Sequence, residues 1–304
     1  MQRKLLFVIN PISGTRGKQG LEAWLHQRAK KHSLDAIVLH TQANTSPAAL
    51  QHDALQAGAT DVVAVGGDGT VNLVAAAVAG TSMRMAIVPV GSGNGLARSA
   101  GIPLKPSGAF EVLLTGTLQQ SDAFAVNGQF ACMLVGIGFD AAVAHRFAQQ
   151  KKRGFLTYAR LTLLEYLRFK PIPFSIRANG FILDTAAYMI TVANSNQFGN
   201  NVTIAPMASL TDGLLDIVVV KKQPRWMLPI SLLRQVGGGF KMHRSGAVAR
   251  GQHVVYFQAA ALNVECTKPL PVHIDGDPAG HHSKLNIAVL PGAFTLWVPK
   301  PAKR

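Results

Sequence analysis

The chain has 304 residues, of which 48% are hydrophobic and 15% are charged. This composition indicates a globular and not a disordered protein, and the length allows two domains with sizeable cores. Lys and Arg number 30 against 15 Asp and Glu, a formal net charge of +15, so we expect an anionic partner such as a nucleotide, a nucleic acid or an anionic membrane surface. The two cysteines exclude a disulfide framework and a zinc cluster, and a reducing cytoplasm fits them.

Predicted strands alternate with predicted helices in the N-terminal part. The buried strand Leu5–Ile9 leads into a polar, glycine-bearing loop from Asn10 to Lys18 that opens a helix. The next strand, 36–39, ends at His40-Thr41, and Ser46-Pro47 is an N-cap followed by proline at the first helical position. The alternation predicts an α/β domain with a parallel sheet and helices on both faces.

The central motif of the sequence is Asp61-Val-Val-Ala-Val-Gly-Gly-Asp-Gly-Thr-Val-Asn72, which predicts a buried strand, a glycine turn and a helix from near Thr70. Glycines allow positive φ and let a phosphate approach the backbone, and the open N–H groups at a helix start favour that anion. Asp68 on this turn either holds Mg²⁺, takes a proton from an attacking hydroxyl, or simply caps the helix.

A third glycine loop, Gly91-Ser-Gly-Asn-Gly95, follows the strand at 85–89 and opens another helix. Ligands of such sheets bind outside the carboxyl ends of the strands, where all three loops are expected. Three loops at one edge therefore predict a site for a phosphate-bearing ligand.

From Ser121 the pattern changes to many short predicted strands, including 262–265, 272–274, 285–290 and 294–298, with Asn179-Gly180 as a hairpin turn. This half predicts a mainly antiparallel β domain. We place the domains at 1–118 and 119–304, with the last strand a candidate to return to the first domain. The cleft between them is the expected ligand site.

Three motifs resemble the diacylglycerol kinase catalytic-domain family in order and spacing: Asn10-Pro-x-Ser-Gly14, the turn from Gly66 to Asn72, and Pro89-Val-Gly-Ser-Gly-Asn94. Asp122 and the segments 136–140, 212–216 and 275–278 are similar to later parts of the same family. That family includes bacterial YegS-type lipid kinases and the sphingosine and ceramide kinases. The resemblance implies an α/β nucleotide-binding domain, a β-sandwich domain and a nucleotide site in the cleft between them. It also implies transfer of the γ-phosphoryl group of ATP, with Mg²⁺, to a lipid hydroxyl.

The same resemblance assigns roles to individual residues. Asp277 matches the proton acceptor, and Asp68 is the second candidate catalytic residue. The metal site would use the Asp212 carboxylate with backbone carbonyls near Ser209 and Leu214. The residues expected at the nucleotide are Asn10, Ser13, Lys18, Thr41, Gly66, Gly67, Asp68, Gly69, Thr70, Asn72, Ser92 and Asn94.

Departures from the family pattern leave the lipid open. Leu73 stands where the family usually has Glu, Gly95 where bacterial members have Asp, and Asp277 where Glu is usual. The acceptor could be of diacylglycerol, phosphatidylglycerol or sphingoid type. An NAD kinase-type phosphotransferase shares the glycine turn, and Leu73 motivates a third alternative, a non-catalytic nucleotide or lipid sensor.

Several other residues keep two interpretations. Asp277 is either the base or a turn aspartate bonded to its own backbone, and Lys18 is either a phosphate ligand or a solvated lysine. Asp140 is either a helix N-cap or a site residue, and Asp216 begins an apolar strand and has a structural interpretation. The pair His281-His282 is expected to be solvated.

We expect a lipid substrate, phospholipid biosynthesis as the setting, and peripheral contact with an anionic membrane from the cytoplasm. The apolar run at 5–9 is too short for a signal peptide, and polar residues interrupt the uncharged stretches 123–139 and 185–211, so no membrane span is predicted. No motif for nucleic acid is present in the sequence. A homodimer is left open.

Overall fold

The computed structural model describes residues 3–11, 20–42, 44–150, 155–199, 202–224, 249–250 and 253–301. It forms two compact units. The first comprises Met1–Asp122, Gly199–Asn201 and Gly292–Arg304, and the second comprises Ala123–Phe198 and Val202–Pro291. The division lies a few residues after Leu118, the boundary expected from the sequence, and the end of the chain belongs to the first unit.

The first unit is built on parallel strands. They are β1 (Lys4–Ile9), β2 (Asp35–His40), β3 (Asp61–Gly66) and β4 (Arg84–Pro89). Their order is β2-β1-β3-β4, each pair is parallel, and the last part of the long C-terminal strand pairs in parallel with β4. All six residues of β3 are buried, as expected for a central strand covered on both faces.

The helices of this unit are α1 (Leu21–Lys31), α2 (Pro47–Gln56), α3 (Asp68–Val78), α4 (Gly95–Ser99) and α5 (Pro106–Thr115). The Ser46 side chain accepts the Ala49 N–H at 3.2 Å, which confirms the predicted start of α2. Phe110 of α5 packs against Phe7 and Trp24, with ring centroids 6.5 and 5.8 Å away. These contacts attach α1 and α5 to the sheet.

Helix α3 begins two residues earlier than near Thr70, the predicted start. Gly67 is extended, with φ −97° and ψ −166°, and the Val71 N–H donates to its carbonyl at 3.0 Å. This bond closes the first turn over Asp68 and Gly69. Asp68 therefore lies in the helix, not on a loop before it.

The second unit is rich in antiparallel strands, as predicted. Its strands are β5 (Thr117–Val126), β6 (Gln129–Ala131), β7 (Leu134–Gly138), β8 (Ile172–Ala178), β9 (Phe181–Ala193), β10 (Gln197–Gly199), β11 (Val202–Thr203), β12 (Leu215–Lys221), β13 (Ala249–Arg250), β14 (Val254–Ala259), β15 (Ala261–Ile274) and β16 (Asp277–Val298), some of which extend into residues of the first unit. Two helices, α6 (Phe139–Ala148) and α7 (Phe155–Arg168), interrupt them. Strands β9, β7, β15 and β16 are neighbours and pair antiparallel.

The hairpin between β8 and β9 turns at Asn179 and Gly180, whose φ values are 49° and 77°. Positive φ at both central residues is what a two-residue hairpin turn requires, which confirms this prediction. The core of the unit is apolar and includes Phe124, Ile190, Val219, Phe257 and Val272.

Candidate functional site

The first unit gathers predicted nucleotide residues at the carboxyl ends of its parallel strands. Asn10 follows β1, and Thr41 follows β2, with the Thr41 N–H donating to the Ile9 carbonyl at 2.9 Å. The Val90 N–H donates to the Gly66 carbonyl at 3.0 Å, so the strands β3 and β4 end side by side. Ser13 and Lys18 lie outside the described residues. The described starts of the loops after β1, β2, β3 and β4 therefore lie at one edge of the sheet, as predicted.

Asp68 joins the second and third glycine loops. Its Oδ1 accepts the Gly95 N–H at 2.7 Å, and its Oδ2 accepts the Asn94 N–H at 3.0 Å. The N-cap of α3 is Gly67, which has no side-chain capping bond. Asp68 is therefore the first residue of α3 and not its N-cap, and its carboxylate is bonded to the start of α4. Its catalytic role stays a prediction.

The glycines of these two loops are needed because the two backbones approach each other closely. They do not adopt positive φ, which corrects the sequence-based argument. A Cβ at Gly91 would lie 2.4 Å from the Gly67 Cα, and a Cβ at Gly66 would lie 2.3 Å from the Thr70 Oγ1. None of the described glycines in 66–69 or 91–95 has positive φ. Because two backbones meet at Gly67 and Gly91, no side chain fits between them.

Asn94 is the residue of the third loop that adopts the left-handed conformation, with φ 56° and ψ 44°. Its Oδ1 accepts the Gly91 N–H at 3.1 Å, and its Nδ2 donates to the Gly91 carbonyl at 2.8 Å. The Arg98 Nε donates to the Gly93 carbonyl at 3.1 Å. Asn94 is buried, 7% exposed, so its side chain holds the loop together from within, while Ser92 is exposed.

The Asp275-Gly-Asp277 segment forms a hairpin with Asp277 at the start of β16. Asp275 and Gly276 are the two turn residues, with φ 51° and 91°. Asp277 is paired with Ile274 and is exposed. Strand β15 ends at Ile274, as expected from the sequence, and the Asp277 carboxylate lies at the first position after the turn.

Asp275 has a structural role that the sequence analysis missed. Its Oδ1 accepts the N–H groups of Met133 and Leu134 at 3.0 and 2.8 Å, and its Oδ2 accepts the Cys132 N–H at 3.0 Å. The Asp275 N–H donates in turn to the Leu134 carbonyl at 2.9 Å. These bonds attach the hairpin to the start of β7. The sequence predicted a turn here, but these partners of Asp275, which lie far away along the chain, have no local signal.

The predicted metal residues lie on one turn. The Asp212 Oδ1 accepts the Leu214 N–H at 3.1 Å, Gly213 has φ 70°, and the Thr211 N–H donates to the Ser209 Oγ at 3.3 Å. Asp212 is exposed. A carboxylate beside backbone carbonyls is an all-oxygen donor set, which suits Mg²⁺. Within the described residues, no group of three or more His, Cys, Asp or Glu side chains is placed to hold a metal.

Asp216, four positions after Asp212, is buried beneath this turn. The Tyr256 hydroxyl donates to its Oδ1, and the Gln258 Nε2 lies 3.3 Å from both of its oxygens. Burial raises the pKa of the Asp216 carboxyl to about 6, although the bonds from Tyr256 and Gln258 lower it. Burial, and then the neighbouring Asp216, raise the pKa of the Tyr256 phenol. These contacts agree with the structural interpretation of Asp216.

Comparison with known proteins identifies the family. The family model described as "Diacylglycerol kinase catalytic domain" matches residues 4–126. The model described as "YegS C-terminal NAD kinase beta sandwich-like domain" matches residues 133–298. The chain belongs to the diacylglycerol kinase catalytic-domain family. The predicted resemblance is confirmed. We call the two bonds from the Asn94 and Gly95 N–H groups to the Asp68 carboxylate the Asp68 clamp. This clamp and the Asp275 hairpin are features of a member of this family.

Relatives in this family carry matching descriptions. A "Probable lipid kinase YegS-like" protein of Pseudomonas aeruginosa is 30% identical over 253 residues, which cover 81% of this chain and 79% of that protein. A "Diacylglycerol kinase" of Mycobacterium tuberculosis is 28% identical over 307 residues, covering 98% and 96%. The crystal structure of a diacylglycerol kinase from Bacillus anthracis superimposes with a TM-score of 0.70 at 21% identity, over 97% of both chains, and shows the likeness of fold.

The family assignment confirms an N-terminal α/β domain and a C-terminal β-rich domain. A nucleotide site in a cleft between them stays a prediction. Among the described helices, none is long and apolar enough to cross a membrane.

Proposed function

We propose that the protein is an ATP-dependent lipid kinase. It transfers the γ-phosphoryl group of ATP to a hydroxyl of a diacylglycerol-, phosphatidylglycerol- or sphingoid-type lipid. The observation that carries this proposal is the Asp68 clamp, which fixes two glycine loops at the carboxyl ends of β3 and β4. It occurs in a chain whose relatives are described as lipid kinases and diacylglycerol kinases.

Phosphoryl transfer depends mainly on positioning and on stabilising charge, because little covalent chemistry is left to the protein. The backbone contact of Gly67 with Gly91 and the internal bonds of Asn94 hold the two loops in one arrangement. Such rigid loops need little reorganisation when a nucleotide binds. The basic composition of the chain favours the same anionic ligand.

The remaining roles belong to the second unit. Asp277, an exposed carboxylate on a hairpin anchored by Asp275, accepts the proton of the lipid hydroxyl. The turn at Asp212 holds Mg²⁺ with carbonyls of Ser209 and Leu214. The ion, when bound, supplies positive charge that neutralises phosphate oxygens.

A second candidate is phosphorylation of NAD. The specific observation in its favour is that the family model matching residues 133–298 is described as NAD kinase-like in its β-sandwich. The same assay tests both functions, because only the acceptor differs.

The test uses purified full-length protein, Mg²⁺ and ATP labelled at the γ-phosphate. Acceptors are diacylglycerol, phosphatidylglycerol, sphingosine and ceramide in mixed micelles, and NAD in solution. Label in a lipid supports the proposal, and label only in NAD replaces it with the second candidate. Nucleotide binding without transfer to any acceptor would indicate a sensor. The Asp277→Asn variant is the control, expected to bind ATP normally but to lose transfer.

A further inference from the structure

A row of residues crosses three neighbouring strands of the second unit beneath α6. Gly136 of β7 pairs with Thr191 of β9 on one side and with His273 of β15 on the other. Gly136 has no side chain, and Asp140 from the first turn of α6 lies over it. A Cβ at Gly136 would be 2.2 Å from both the Asp140 Oδ2 and the His273 Nε2. The glycine thus leaves the space in which these two side chains meet.

Asp140 and His273 form a buried polar pair. They are 5% and 1% exposed, and the His273 Nε2 lies 3.5 Å from the Asp140 Oδ2. The Thr191 Oγ1 donates to the same oxygen at 3.4 Å, and the Ala141 N–H donates to Oδ1 at 2.9 Å. Burying two ionisable groups is costly, and an apolar pair of similar size is often at least as stable. Stability alone is therefore a weak reason for this arrangement.

The pair lies next to the hairpin that carries Asp277. His273 is two residues before the turn residue Asp275, and it pairs across the strands with Pro278, the neighbour of Asp277. Helix α6 makes a second contact at the preceding residue of β15, where the His145 Nε2 lies 2.8 Å from the Val272 carbonyl. Two consecutive residues of β15 are thus held by α6 just before the chain turns.

The turn itself is held by the Asp275 carboxylate, which accepts three N–H groups of residues 132–134. Asp277 is the first strand residue after the turn that follows these attachments. A displacement of about 1 Å in a reacting group can reduce a rate on the order of a hundredfold. Asp275 attaches the turn to the start of β7, and the contacts of His145 and Asp140 lie at the end of β15.

We propose that His273, held by Asp140, is a positioning residue for Asp277. The inference rests on the proposed lipid kinase function, because it assigns Asp277 as the group that accepts the proton. The pair does not touch the substrate. It acts by holding the hairpin against α6.

The test is a set of kinetic cycles on the full-length protein. Asp140→Asn keeps the shape of the side chain and removes its charge, and His273→Gln is the second variant. Each should lower kcat about tenfold or more while KM for ATP changes less than about twofold. In an Asp277→Asn background, Asp140→Asn should have no further effect on kcat, because the residue that it positions has already lost its function.

The matched control is His282→Gln, on the neighbouring strand β16, where the His282 Nε2 lies 2.8 Å from the Ala279 carbonyl. It should leave kcat unchanged. A merely structural pair would lower the melting temperature of Asp140→Asn without changing kcat per folded molecule. Equal falls in kcat in the wild-type and Asp277→Asn backgrounds would mean that the pair acts independently of Asp277, and either result overturns the proposal.

Hydrogen exchange separates this inference from the function on which it rests. Asp140→Asn should speed amide exchange in peptides covering 270–280 and leave those covering 61–95 unchanged. Unchanged exchange at 270–280 overturns the positioning role whether or not the wild type transfers phosphate. Faster exchange at the hairpin in a protein that phosphorylates no acceptor would instead reject the kinase function, and with it the role of Asp277.

Discussion

Asp68 connects two loops that appear as separate motifs in the sequence. Its two oxygens accept N–H groups of Asn94 and Gly95, 26 and 27 positions further along. Hydrogen bonds to a charged group contribute about 1.5–3 kcal/mol each. The carboxylate therefore stabilises the site even before a ligand binds.

Replacing Asp68 by Asn tests this clamp. The amide keeps one acceptor and turns an NH₂ group towards a backbone donor, so we expect the free energy of unfolding to fall by about 1–3 kcal/mol. Phosphoryl transfer should fall on the order of a hundredfold or more, because the loops are no longer held together. Urea unfolding and the labelled-ATP assay measure the two effects. Asp53→Asn, an exposed change on α2, is the control, and an Asp68 variant that behaves like it would contradict the clamp.

The raised pKa of the Asp216 carboxyl predicts that the stability of the protein depends on pH. Its pKa is raised from 3.8 to about 6, mainly by burial. Between these values the folded state binds more protons at Asp216 than the unfolded state does. The contribution of this group to the free energy of unfolding is therefore present at low pH and is lost as the pH rises through 6.

Asp216→Asn removes that titration while keeping an oxygen for the Tyr256 hydroxyl. Urea unfolding from pH 4 to 7, with a chelator present, should show the variant gaining stability relative to wild type by up to about 3 kcal/mol, since one pKa unit corresponds to about 1.4 kcal/mol. A difference between the two proteins that stays constant over this range would mean that the carboxyl titrates normally.

The sequence identified the aspartates of the candidate site but not how they are bonded. Asp68 and Asp277 stood out because they lie in glycine-bearing motifs. Asp275 lies in the same motif as Asp277, but its bonding could not be predicted, because its partners begin at Cys132, 143 residues earlier. Contacts between residues so far apart in sequence depend on strand pairing, which local patterns do not specify.

At the scale of elements, the contact between the second and third loops requires glycine. Gly91→Ala would place a Cβ 2.4 Å from the Gly67 Cα and 3.0 Å from the Asn94 Oδ1, so the loops must separate. Overpacking of this kind costs about 1–3 kcal/mol. We expect ATP affinity, measured by calorimetry, to fall about tenfold or more, because the edge formed by the two loops changes.

The control for Gly91→Ala is Gly58→Ala, after α2. Gly58 has φ +64° and open space around its Cα, so alanine there costs backbone strain of about 1 kcal/mol without touching the loops. It should lower stability and leave ATP affinity unchanged. Equal ATP affinity in the two variants would show that the loop contact does not shape the site.

Element types were largely predictable, and element ends were not. The start of α2 follows from Ser46-Pro47, a local signal. The separate strands expected at 262–265 and 272–274 are one strand, β15, which pairs with β16 on both sides of register shifts between Glu265 and Leu270 and between Pro271 and His273. Pairing with neighbouring strands, which local patterns do not specify, thus sets the extent of β15.

At the scale of the whole molecule, the C-terminal strand closes the first unit at a buried carboxylate. Asp61, at the start of β3, accepts bonds from Arg3 at 3.2 Å, Arg84 at 2.7 Å and the Trp297 Nε1 at 2.6 Å. The guanidinium of Arg3 also lies 4.7 Å from the centroid of the Trp297 ring. One anion therefore links the two ends of the chain.

Asp61→Asn should lower the free energy of unfolding by about 3 kcal/mol or more, because it leaves two partly buried guanidinium groups without their anion. Trp297→Phe removes only the indole bond and should cost about 1 kcal/mol. Urea unfolding measures both. If the two variants lose the same stability, the two arginines gain nothing from the carboxylate, and Asp61 is an ordinary hydrogen-bond acceptor.

The net charge of +15 belongs to no single motif. Under the proposed lipid kinase function, we expect it to strengthen binding of the protein to anionic bilayers. A lipid acceptor lies in a bilayer, and basic residues close to an anionic surface contribute about 1 kcal/mol each at low salt. The attraction extends about one Debye length, roughly 10 Å at 0.1 M salt and 3 Å at 1 M. Sedimentation with phosphatidylglycerol vesicles should therefore show binding that weakens steeply as salt rises, with little binding to phosphatidylcholine vesicles. Equal, salt-independent binding to both would mean that apolar contacts, and not the basic surface, bring this protein to the membrane.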